Sequence, residues 1–280
     1  MNGLYVVTGA SGSMGSAAVR DLVSKGDGVI MACRNLEKGE KVRKGILEAF
    51  PEAGIVLKHL ELESFASVVK FCKNLEQELN NGILGKQKID GLFNNAGVLS
   101  RGFALTEDCF ERTIQVNYLS PWLLTRQILP LLSEGGHIVN MVSLACRVGN
   151  ICEDFFEPTP ERFNRIKVYS DTKVALLLSS IALGRQVNGN LHVNVADPGI
   201  VDSNMISMGK WFDPLTDILF RPLCNSPEKG VTPALNALHT DCHLHYFVGK
   251  THKPISSRYM GNDQIDTLEQ RTEELMRVYL

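Results

Sequence analysis

A glycine-rich stretch near the amino terminus decides the fold of this chain: Thr8-Gly9-Ala10-Ser11-Gly12-Ser13-Met14-Gly15. It follows the first apolar run of the chain and opens a segment of helical period. Gly9 can make the tight turn, Gly12 lets a diphosphate approach the backbone, and Gly15 allows close packing of the helix on the strand. The free N–H groups and the dipole at the start of the helix favour phosphate. The stretch therefore predicts a nucleotide-binding turn, with expected contacts from Gly9, Ser11, Gly12, Met14 and Gly15.

Strand-like and helix-like segments alternate along the rest of the chain. Short runs with the near-continuous apolarity of buried parallel strands lie at 4–8, 28–33, 55–60, 89–93, 137–142, 192–196 and 245–249. Longer segments of helical period lie at 13–25, 36–50, 64–80, 107–133, 165–187 and 227–238. Strict alternation predicts an α/β fold with a doubly wound parallel sheet, a Rossmann fold. No linker or repeat divides the chain, so we expect a single domain over residues 1–280.

Composition excludes several classes of function. The chain has 280 residues, 44% hydrophobic and 21% charged, and a formal net charge of -2, which is ordinary for a globular domain. The absence of a Lys/Arg-rich run argues against nucleic acid as a partner. No apolar stretch approaches the roughly 18 residues of a membrane span, and no signal peptide is recognisable. The seven cysteines are scattered without a Cys-x-x-Cys pair, so we expect reduced thiols and a cytoplasmic protein.

The residues at the end of the second predicted strand bear on the choice of cofactor. They read Ala32-Cys33-Arg34-Asn35, where a site for NAD usually has Asp or Glu to accept from the ribose 2′-hydroxyl. Cys33 cannot do this, whereas the planar guanidinium of Arg34 can pair with a 2′-phosphate. The alternative is a surface arginine that merely ends a strand. The local chemistry favours NADP over NAD.

A tyrosine and a lysine four residues apart open the apolar helical segment at 165–187. Tyr169 and Lys173 share a helix face, so the phenol and the ammonium can point into one cleft. A nearby cation favours phenolate and lowers the tyrosine pKa from about 10, which makes the group competent for proton transfer. Most such pairs are packing plus a solvated lysine, so context matters. Ser143 ends the strand at 137–142, where parallel strands deliver side chains to a ligand crevice.

Two asparagine positions add to this context. Asn94-Asn95-Ala96-Gly97 follows the strand at 89–93 in the same way as Ser143 follows its strand. Asn117 lies within the next helical segment, where a buried polar residue needs a partner or a function.

Taken in order, these motifs resemble the short-chain dehydrogenase/reductase family. The matching series is Thr8–Gly15, Asn94–Gly97, Asn117, Ser143, Tyr169 with Lys173, and Pro198-Gly199 after a strand. Within the family the chain is similar to the retinol-dehydrogenase-like reductases. The similarity lies in the Ala32–Asn35 stretch, which Glu37-Lys38-Gly39-Glu40 follows, and in the long interval between Ser143 and Tyr169.

The resemblance implies roles for individual residues. Tyr169 would be the proton donor or acceptor for the carbonyl or alcohol oxygen, and Ser143 would hydrogen-bond that oxygen. Lys173 would bind the nicotinamide ribose and lower the Tyr169 pKa, and Asn117 would position a water in a proton relay. Hydride transfer belongs to the cofactor. Further cofactor contacts are implied at Leu62, Asn95, Ala96, Gly97, Pro198, Gly199, Val201 and Ser203.

Some positions depart from the family pattern. Ser13 stands where the middle glycine of the usual turn would be, and the resulting Gly-x-x-Gly-x-x-Gly spacing resembles nucleotide-sugar epimerases and dehydratases. Glu61-Leu62 replaces the usual Asp-Leu, and Ser203 replaces a common threonine. The leading hypothesis is an NADP-dependent oxidoreductase that interconverts an alcohol and a carbonyl on an apolar small molecule. The alternatives are an epimerase or dehydratase, and a non-catalytic NADP-binding sensor, which would not need a poised acid–base tyrosine.

Two segments break the alternation of strands and helices. The irregular segments 145–167 and 203–226 have the lengths to cover a site. We expect the second to be a mobile, hydrophobic substrate lid, because it contains Met205, Met208, Trp211, Phe212, Leu219 and Phe220. The tail at 263–280 has apolar residues near helical spacing. It packs on the body or on another subunit of a homo-oligomer, and sequence does not separate the two.

A histidine-rich stretch invites a metal-site interpretation. His239-Thr240-Asp241-Cys242-His243-Leu244-His245 carries ligand-type side chains at close spacing. Zinc needs three or four convergent ligands, whereas a helix end, a turn and a strand start would turn these side chains to solvent. We expect no metal site.

Overall fold

One sheet of eight strands runs through the residues that the computed structural model describes, which are 1–187, 189–200 and 225–280. The strands are β1 (Leu4–Thr8), β2 (Gly28–Cys33), β3 (Ile55–His59), β4 (Ile89–Asn94), β5 (Leu132–Met141), β6 (His192–Asp197), β7 (His245–Val248) and β8 (Thr251–Pro254). Their spatial order is β3-β2-β1-β4-β5-β6-β7-β8. All neighbours are parallel except β7 and β8, which are antiparallel.

Helices cover both faces of the sheet. They are α1 (Ser13–Ser24), α2 (Leu36–Leu47), α3 (Phe65–Asn80), α5 (Arg165–Val187), α6 (Pro227–Leu238), α7 (Ser257–Met260) and α8 (Gln264–Met276). Between α3 and α5 lies α4, in which the α-helical turn Arg112–Ile114, the π-helical turn Gln115–Leu119 and the α-helix Ser120–Ile128 follow one another. Single 3₁₀ turns occur at Leu129–Leu131, Leu144–Arg147, Pro160–Arg162 and Arg277–Tyr279.

The sheet is sandwiched because its central strands are apolar on both sides. In β1, Leu4 and Val6 join the core beneath α3, α4, α5 and α8, whereas Tyr5 and Val7 join the core beneath α1, α2 and α6. All five β1 residues are buried, as expected for a parallel strand covered on both faces. The chain order reverses between β1 and β4, which is the topological switch point where such sheets bind ligands. The predicted doubly wound α/β fold is confirmed.

Three details of the fold differ from the prediction. The helix expected over 107–133 begins only at Arg112, because Glu111 caps it by accepting hydrogen bonds from Thr113 N and Ile114 N. It ends at Ile128, and β5 starts at Leu132, five residues before the predicted strand. The antiparallel β8 was not predicted. A two-residue turn made by Gly249, at φ +56°, and Lys250 reverses the chain into this short edge strand.

The C-terminal helix α8 packs on the body of the same chain. Tyr118 of α4 shares a hydrogen bond of 2.7 Å with Thr272, and Trp122 Nε1 donates to Glu269 Oε1 at 2.9 Å. Arg126 pairs with the same buried carboxylate. Since a buried charge needs partners, these contacts fix α8 on α4. None of the helices in the described residues combines the length and apolar character that a membrane crossing needs.

Candidate active site

A cleft of about 500 Å³ opens at the carboxyl ends of the strands, over the switch point. The predicted site residues that line it are Gly9, Ser11, Gly12, Met14, Gly15, Arg34, Leu62, Asn95, Ala96, Gly97, Tyr169, Lys173 and Pro198. Asn117, Ser143 and Gly199 directly adjoin this lining through the contacts given below. Val201 and Ser203 lie outside the described residues, as does the proposed lid apart from its last two positions.

The glycine turn has the geometry that its spacing predicts. Gly9 has φ +63°, in the left-handed region that favours glycine. A Cβ on Gly15 would lie 2.3 Å from the Gly9 carbonyl oxygen, so only glycine allows α1 to start this close to the turn. Gly12 is the N-cap of α1, and no side chain in the described residues caps that helix. The first N–H groups of α1 are therefore available to an anion at the cleft.

The end of β2 presents two cations to the cleft. Arg34 is 62% exposed and donates to Glu63 Oε1 at 2.9 Å, with Glu61 Oε2 at 3.8 Å from its Nε. Asn35 caps α2 by accepting from Lys38 N at 2.8 Å, and Lys38 itself also lines the cleft. Sequence reasoning missed Lys38, although its position one turn after the strand end was the available signal.

The loop after β4 is tied to the end of β1. Thr8 Oγ1 accepts from the backbone N–H groups of Asn95 and Ala96, each at 3.0 Å, and Asn95 Nδ2 donates to Thr8 O at 2.8 Å. A Cβ on Gly97 would lie 3.4 Å from Asn117 Oδ1 and 3.6 Å from Lys173 Nζ. These contacts connect the glycine turn to the other end of the cleft.

Asn117 lies in the π-helical turn of α4 and is fully buried. Its Oδ1 accepts from Val98 N at 2.7 Å, and its Nδ2 donates to Val98 O at 2.9 Å and towards Thr172 Oγ1 at 3.4 Å. Because π turns widen the helix and occur at functional sites, this one marks the segment that faces the cleft. The side chain clamps the loop after β4 to α5.

Tyr169, Ser143 and Lys173 converge at the carboxyl end of β5. Ser143 follows the strand with an extended backbone and accepts from Ala145 N at 3.2 Å, and its hydroxyl lies close enough to the Tyr169 phenol to lower the pKa of that group. Lys173 Nζ lies 5.7 Å from the centroid of the Tyr169 ring and donates to Met141 O at 2.7 Å. Lys173 is 3% exposed, so its ammonium is held inside the protein rather than in solvent.

Burial has the largest effect on the pKa values of Tyr169 and Lys173. It raises the pKa of Tyr169 to about 12, and the Ser143 hydroxyl only partly opposes the rise. Burial also lowers the pKa of Lys173 to about 8, although Cys146 and Asp197 act in the opposite direction and raise it. Desolvation therefore sets the direction of the Tyr169 shift in this structure. The lowering of the Tyr169 pKa by Lys173 stays a prediction.

A buried carboxylate fixes the turn at Pro198-Gly199. Asp197 ends β6 with no exposed surface; its Oδ1 accepts from Gly199 N at 2.9 Å and its Oδ2 from the Tyr246 hydroxyl at 2.7 Å. Burial and the Asp197 charge raise the pKa of Tyr246, so this phenol stays protonated as a donor. Sequence reasoning missed Asp197, although an acidic residue at the end of an apolar strand was a visible signal.

The segment 145–167 is anchored to the core and is not a free loop over the site. Phe155 is buried against Tyr118, with ring centroids 5.8 Å apart. Gln264 Nε2 donates to Ile151 O at 2.7 Å, and the Tyr259 hydroxyl donates to Cys146 O at 3.1 Å. The length of this segment predicts a cover over the site, whereas its contacts anchor it to the core.

Comparison with known proteins agrees with this arrangement. Residues 4–209 match the family model for short chain dehydrogenases. The chain is 31% identical to human retinol dehydrogenase 13 over 237 residues, which cover 82% of this chain and 70% of the relative. It is 30% identical to human retinol dehydrogenase 11 over 285 residues, covering 95% and 85%.

A solved structure gives the same result for the fold. An uncharacterised protein from Mycobacterium paratuberculosis superposes with a TM-score of 0.78 at 26% identity, covering 99% of this chain and 94% of that one. The fold, the order of motifs and the relatives therefore point to one family.

Proposed function

The chain belongs to the short-chain dehydrogenase family of NAD(P)-dependent oxidoreductases, and from that premise we propose that it uses NADP to interconvert an alcohol and a carbonyl on an apolar small molecule. Tyr169, Ser143, Lys173 and Asn117 are the proposed catalytic residues. The observation that carries the proposal is the convergence of Tyr169, Ser143 and Lys173 in the cleft that the glycine turn borders.

The residues of the cleft fit a dinucleotide. The uncapped start of α1 suits the diphosphate, and Leu62, Ala96 and Gly97 provide an apolar and backbone lining beside it. Asn95 Oδ1 is buried and has no hydrogen-bond partner among the described residues, so it can accept from a bound group. When bound, the nicotinamide would supply or accept the hydride.

NADP is proposed over NAD because of the charges at the end of β2. Cys33 is buried and offers no carboxylate to a ribose 2′-hydroxyl. Arg34 and Lys38 provide cations, and the Arg34–Glu63 pair is exposed enough that its replacement by a phosphate contact costs little. The helix dipole of α2, which begins just after Asn35, adds to the attraction for an anion.

The protein's part in the chemistry follows from the hydrogen bonds. Tyr169, with its raised pKa, keeps its proton at neutral pH and can donate it to a carbonyl oxygen. Ser143 can donate to the same oxygen and hold it beside the phenol. The Lys173 ammonium stabilises the phenolate left after the transfer, and the Asn117 clamp keeps the loop after β4 in place.

An apolar substrate is proposed because an exposed hydrophobic side chain follows each of two positions that adjoin the cleft. Leu144 directly follows Ser143 and is 36% exposed, and Ile200 directly follows Gly199 and is 59% exposed. Binding pockets for small molecules are lined mainly by hydrophobic side chains. The names of the relatives, retinol dehydrogenases, agree with an apolar alcohol. A cytoplasmic location remains part of the proposal.

The glycine spacing alone does not favour an epimerase. Position 9 requires glycine because its φ is positive, and position 15 requires glycine because the helix packs closely on the turn. Neither requirement depends on the reaction catalysed. We therefore retain the oxidoreductase as the proposed function.

The test is turnover of NADPH with a panel of carbonyls graded in length and polarity. We expect kcat/KM for a long-chain aldehyde to exceed that for a small hydroxylated aldehyde by at least about tenfold, since each buried CH₂ contributes about 0.8 kcal/mol. A preference for the small polar aldehyde would overturn the substrate class. NADPH binding by fluorescence titration without turnover of any carbonyl would instead support a sensor.

A further inference from the structure

The β7–β8 hairpin brings together three side chains that the reaction does not use. Cys242 precedes β7, His245 is the first residue of β7, and His252 is the second residue of β8. In the hairpin register Phe247 pairs with His252, so His252 lies diagonally across from His245 on the same face. The cluster lies at the amino end of β7, away from the carboxyl ends of the strands, where Ser143 and the cleft lie.

The ligand atoms of this cluster have the spacing of a tetrahedral metal site. Cys242 Sγ lies 3.7 Å from His252 Nδ1, and His245 Nδ1 lies 2.9 Å from His252 Nδ1. All three atoms fall within 4.8 Å of one another. Zinc–sulfur bonds of about 2.3 Å and zinc–nitrogen bonds of about 2.05 Å at tetrahedral angles place sulfur and nitrogen about 3.6 Å apart and two nitrogens about 3.3 Å apart. The sulfur–nitrogen distance of 3.7 Å is close to the first value, and the nitrogen–nitrogen distance of 2.9 Å is about 0.4 Å shorter than the second.

A hydrogen bond between two neutral imidazoles would account for the distance of 2.9 Å by itself. It does not account for the thiol that converges on the same point.

The backbone around the cluster is held in place before any ion binds. Asn194 of β6, which is fully buried, donates from Nδ2 to Cys242 O at 2.7 Å and accepts at Oδ1 from His245 N at 2.9 Å. Leu244, between these ligands, has φ +56°, in the left-handed region that residues other than glycine rarely adopt. The His252 ring stacks on Phe247, with centroids 4.7 Å apart. Buried hydrogen bonds thus hold the backbone at Cys242 and His245, and the stack with Phe247 positions the His252 ring.

The adjacent histidine is not part of the set. His243 Nε2 lies 3.1 Å from Gly184 O, and its Nδ1 lies 3.4 Å from Val193 N, so both ring nitrogens point to backbone groups. The stretch 239–245 alone supplies two convergent ligands, and the third comes from β8. The expectation of no metal site considered only that stretch.

We propose that Cys242, His245 and His252 bind one zinc ion, with water in the fourth position. A thiolate and two imidazoles match the ligand types that zinc takes in proteins. On binding, the Cys242 thiol loses its proton to solvent and forms a zinc–sulfur bond, and each Nδ1 donates its lone pair. The ion links the turn before β7 to both strands of the edge hairpin, so its role is structural and turnover does not require it.

The experiment uses the full chain without an affinity tag, stripped of metal by a chelator and titrated with Zn²⁺ and with Co²⁺. We expect one ion per chain by calorimetry, a thiolate-to-cobalt charge-transfer band, tetrahedral cobalt spectra and a raised melting temperature with zinc. Cys242→Ser should abolish the charge-transfer band. His252→Gln should weaken zinc binding by more than about tenfold, because even outer partners of metal ligands contribute 10- to 100-fold.

His243→Gln is the matched control, one residue from Cys242 but facing the backbone, and its zinc affinity should equal that of the wild type. His252 is exposed, so its substitution leaves the fold intact and circular dichroism checks this. No stoichiometric binding by the folded wild type would overturn the proposal. So would a charge-transfer band that survives in Cys242→Ser, or equal losses in His243→Gln and His252→Gln.

Discussion

At one end of the cleft Arg34 keeps 62% of its side chain in solvent, whereas at the other end Lys173 is only 3% exposed. Both are cations that we assign to the same cofactor. Arg34 pairs with the Glu63 carboxylate on the surface, and Lys173 donates to the Met141 carbonyl beneath the Tyr169 ring. The two ends therefore place the same kind of charge in very different surroundings.

The difference in burial determines how much each charge can contribute to binding and catalysis. Exposed ion pairs contribute about 0–1 kcal/mol because water and salt screen them. A buried ammonium loses hydration, and its pKa falls to about 8. We therefore expect substitutions at the Lys173 end to abolish turnover and those at the Arg34 end to change only the affinity for the cofactor.

The largest effect is expected from Tyr169→Phe. Removal of the hydroxyl deletes the proposed proton donor and leaves the packing of the ring, so kcat should fall about 10²- to 10⁴-fold. NADPH affinity, measured by fluorescence titration, should remain within about twofold of wild type. If the variant keeps more than a tenth of wild-type turnover, Tyr169 is not the donor.

Lys173→Met should come next. We expect kcat to fall by about 10²-fold and NADPH to bind more weakly, because both the ribose and the phenolate lose the ammonium. The melting temperature at pH 7 should not fall, since methionine replaces a buried charge with an apolar side chain of similar length. A marked drop in melting temperature together with activity would mean that Lys173 serves the fold.

Much of this end of the cleft was predictable from sequence, because its parts are local. Tyr169 and Lys173 are one helical turn apart, and Ser143 and Asn95 each follow a strand whose carboxyl end faces the crevice. Glycine positions report backbone geometry directly, as φ +63° at Gly9 shows. The order of these motifs along the chain, which resembles that of the family, then assigned these residues to one site.

What was not predictable depends on contacts between distant residues. Glu63 meets Arg34 across 29 positions, and Asp197 meets Tyr246 across 49. Neither pairing has a periodic signal in the sequence. The rise of the Tyr169 pKa has the same origin, since burial is a property of the packed cleft and not of the Tyr-x-x-x-Lys spacing.

The pH dependence of carbonyl reduction tests the Lys173 end of the cleft through a smaller effect on kcat/KM. Tyr169 keeps its proton up to a pKa of about 12, but Lys173 loses its charge as pH rises through about 8. We expect kcat/KM to be level below pH 8 and to fall up to about tenfold by pH 9. Lys173→Arg should move this decline to higher pH, because arginine stays protonated. A decline at the same pH in that variant would assign it to another group.

The smallest effects are expected from substitutions at the Arg34 end of the cleft, beginning with Arg34→Ala. Loss of one screened contact to a 2′-phosphate should weaken NADPH binding by about two- to fivefold, and NADH binding should be unchanged. The difference should shrink at high salt, because ions screen an exposed pair. Arg43→Ala is the matched control, since Arg43 is a partly exposed arginine of α2 that pairs with Glu40 and does not line the cleft.

Glu63→Gln tests the same contact from the opposite side. Glu63 holds Arg34 at 2.9 Å and also accepts from Arg112 Nε at 2.9 Å. Neutralising it removes a negative charge that competes with the phosphate for Arg34, so NADPH should bind a few-fold more tightly while NADH is unaffected. Tighter binding in Glu63→Gln with weaker binding in Arg34→Ala would establish Arg34 as the phosphate contact. If NADPH and NADH respond equally to both substitutions, Arg34 is a surface residue that ends a strand, and Lys38 becomes the cation to test.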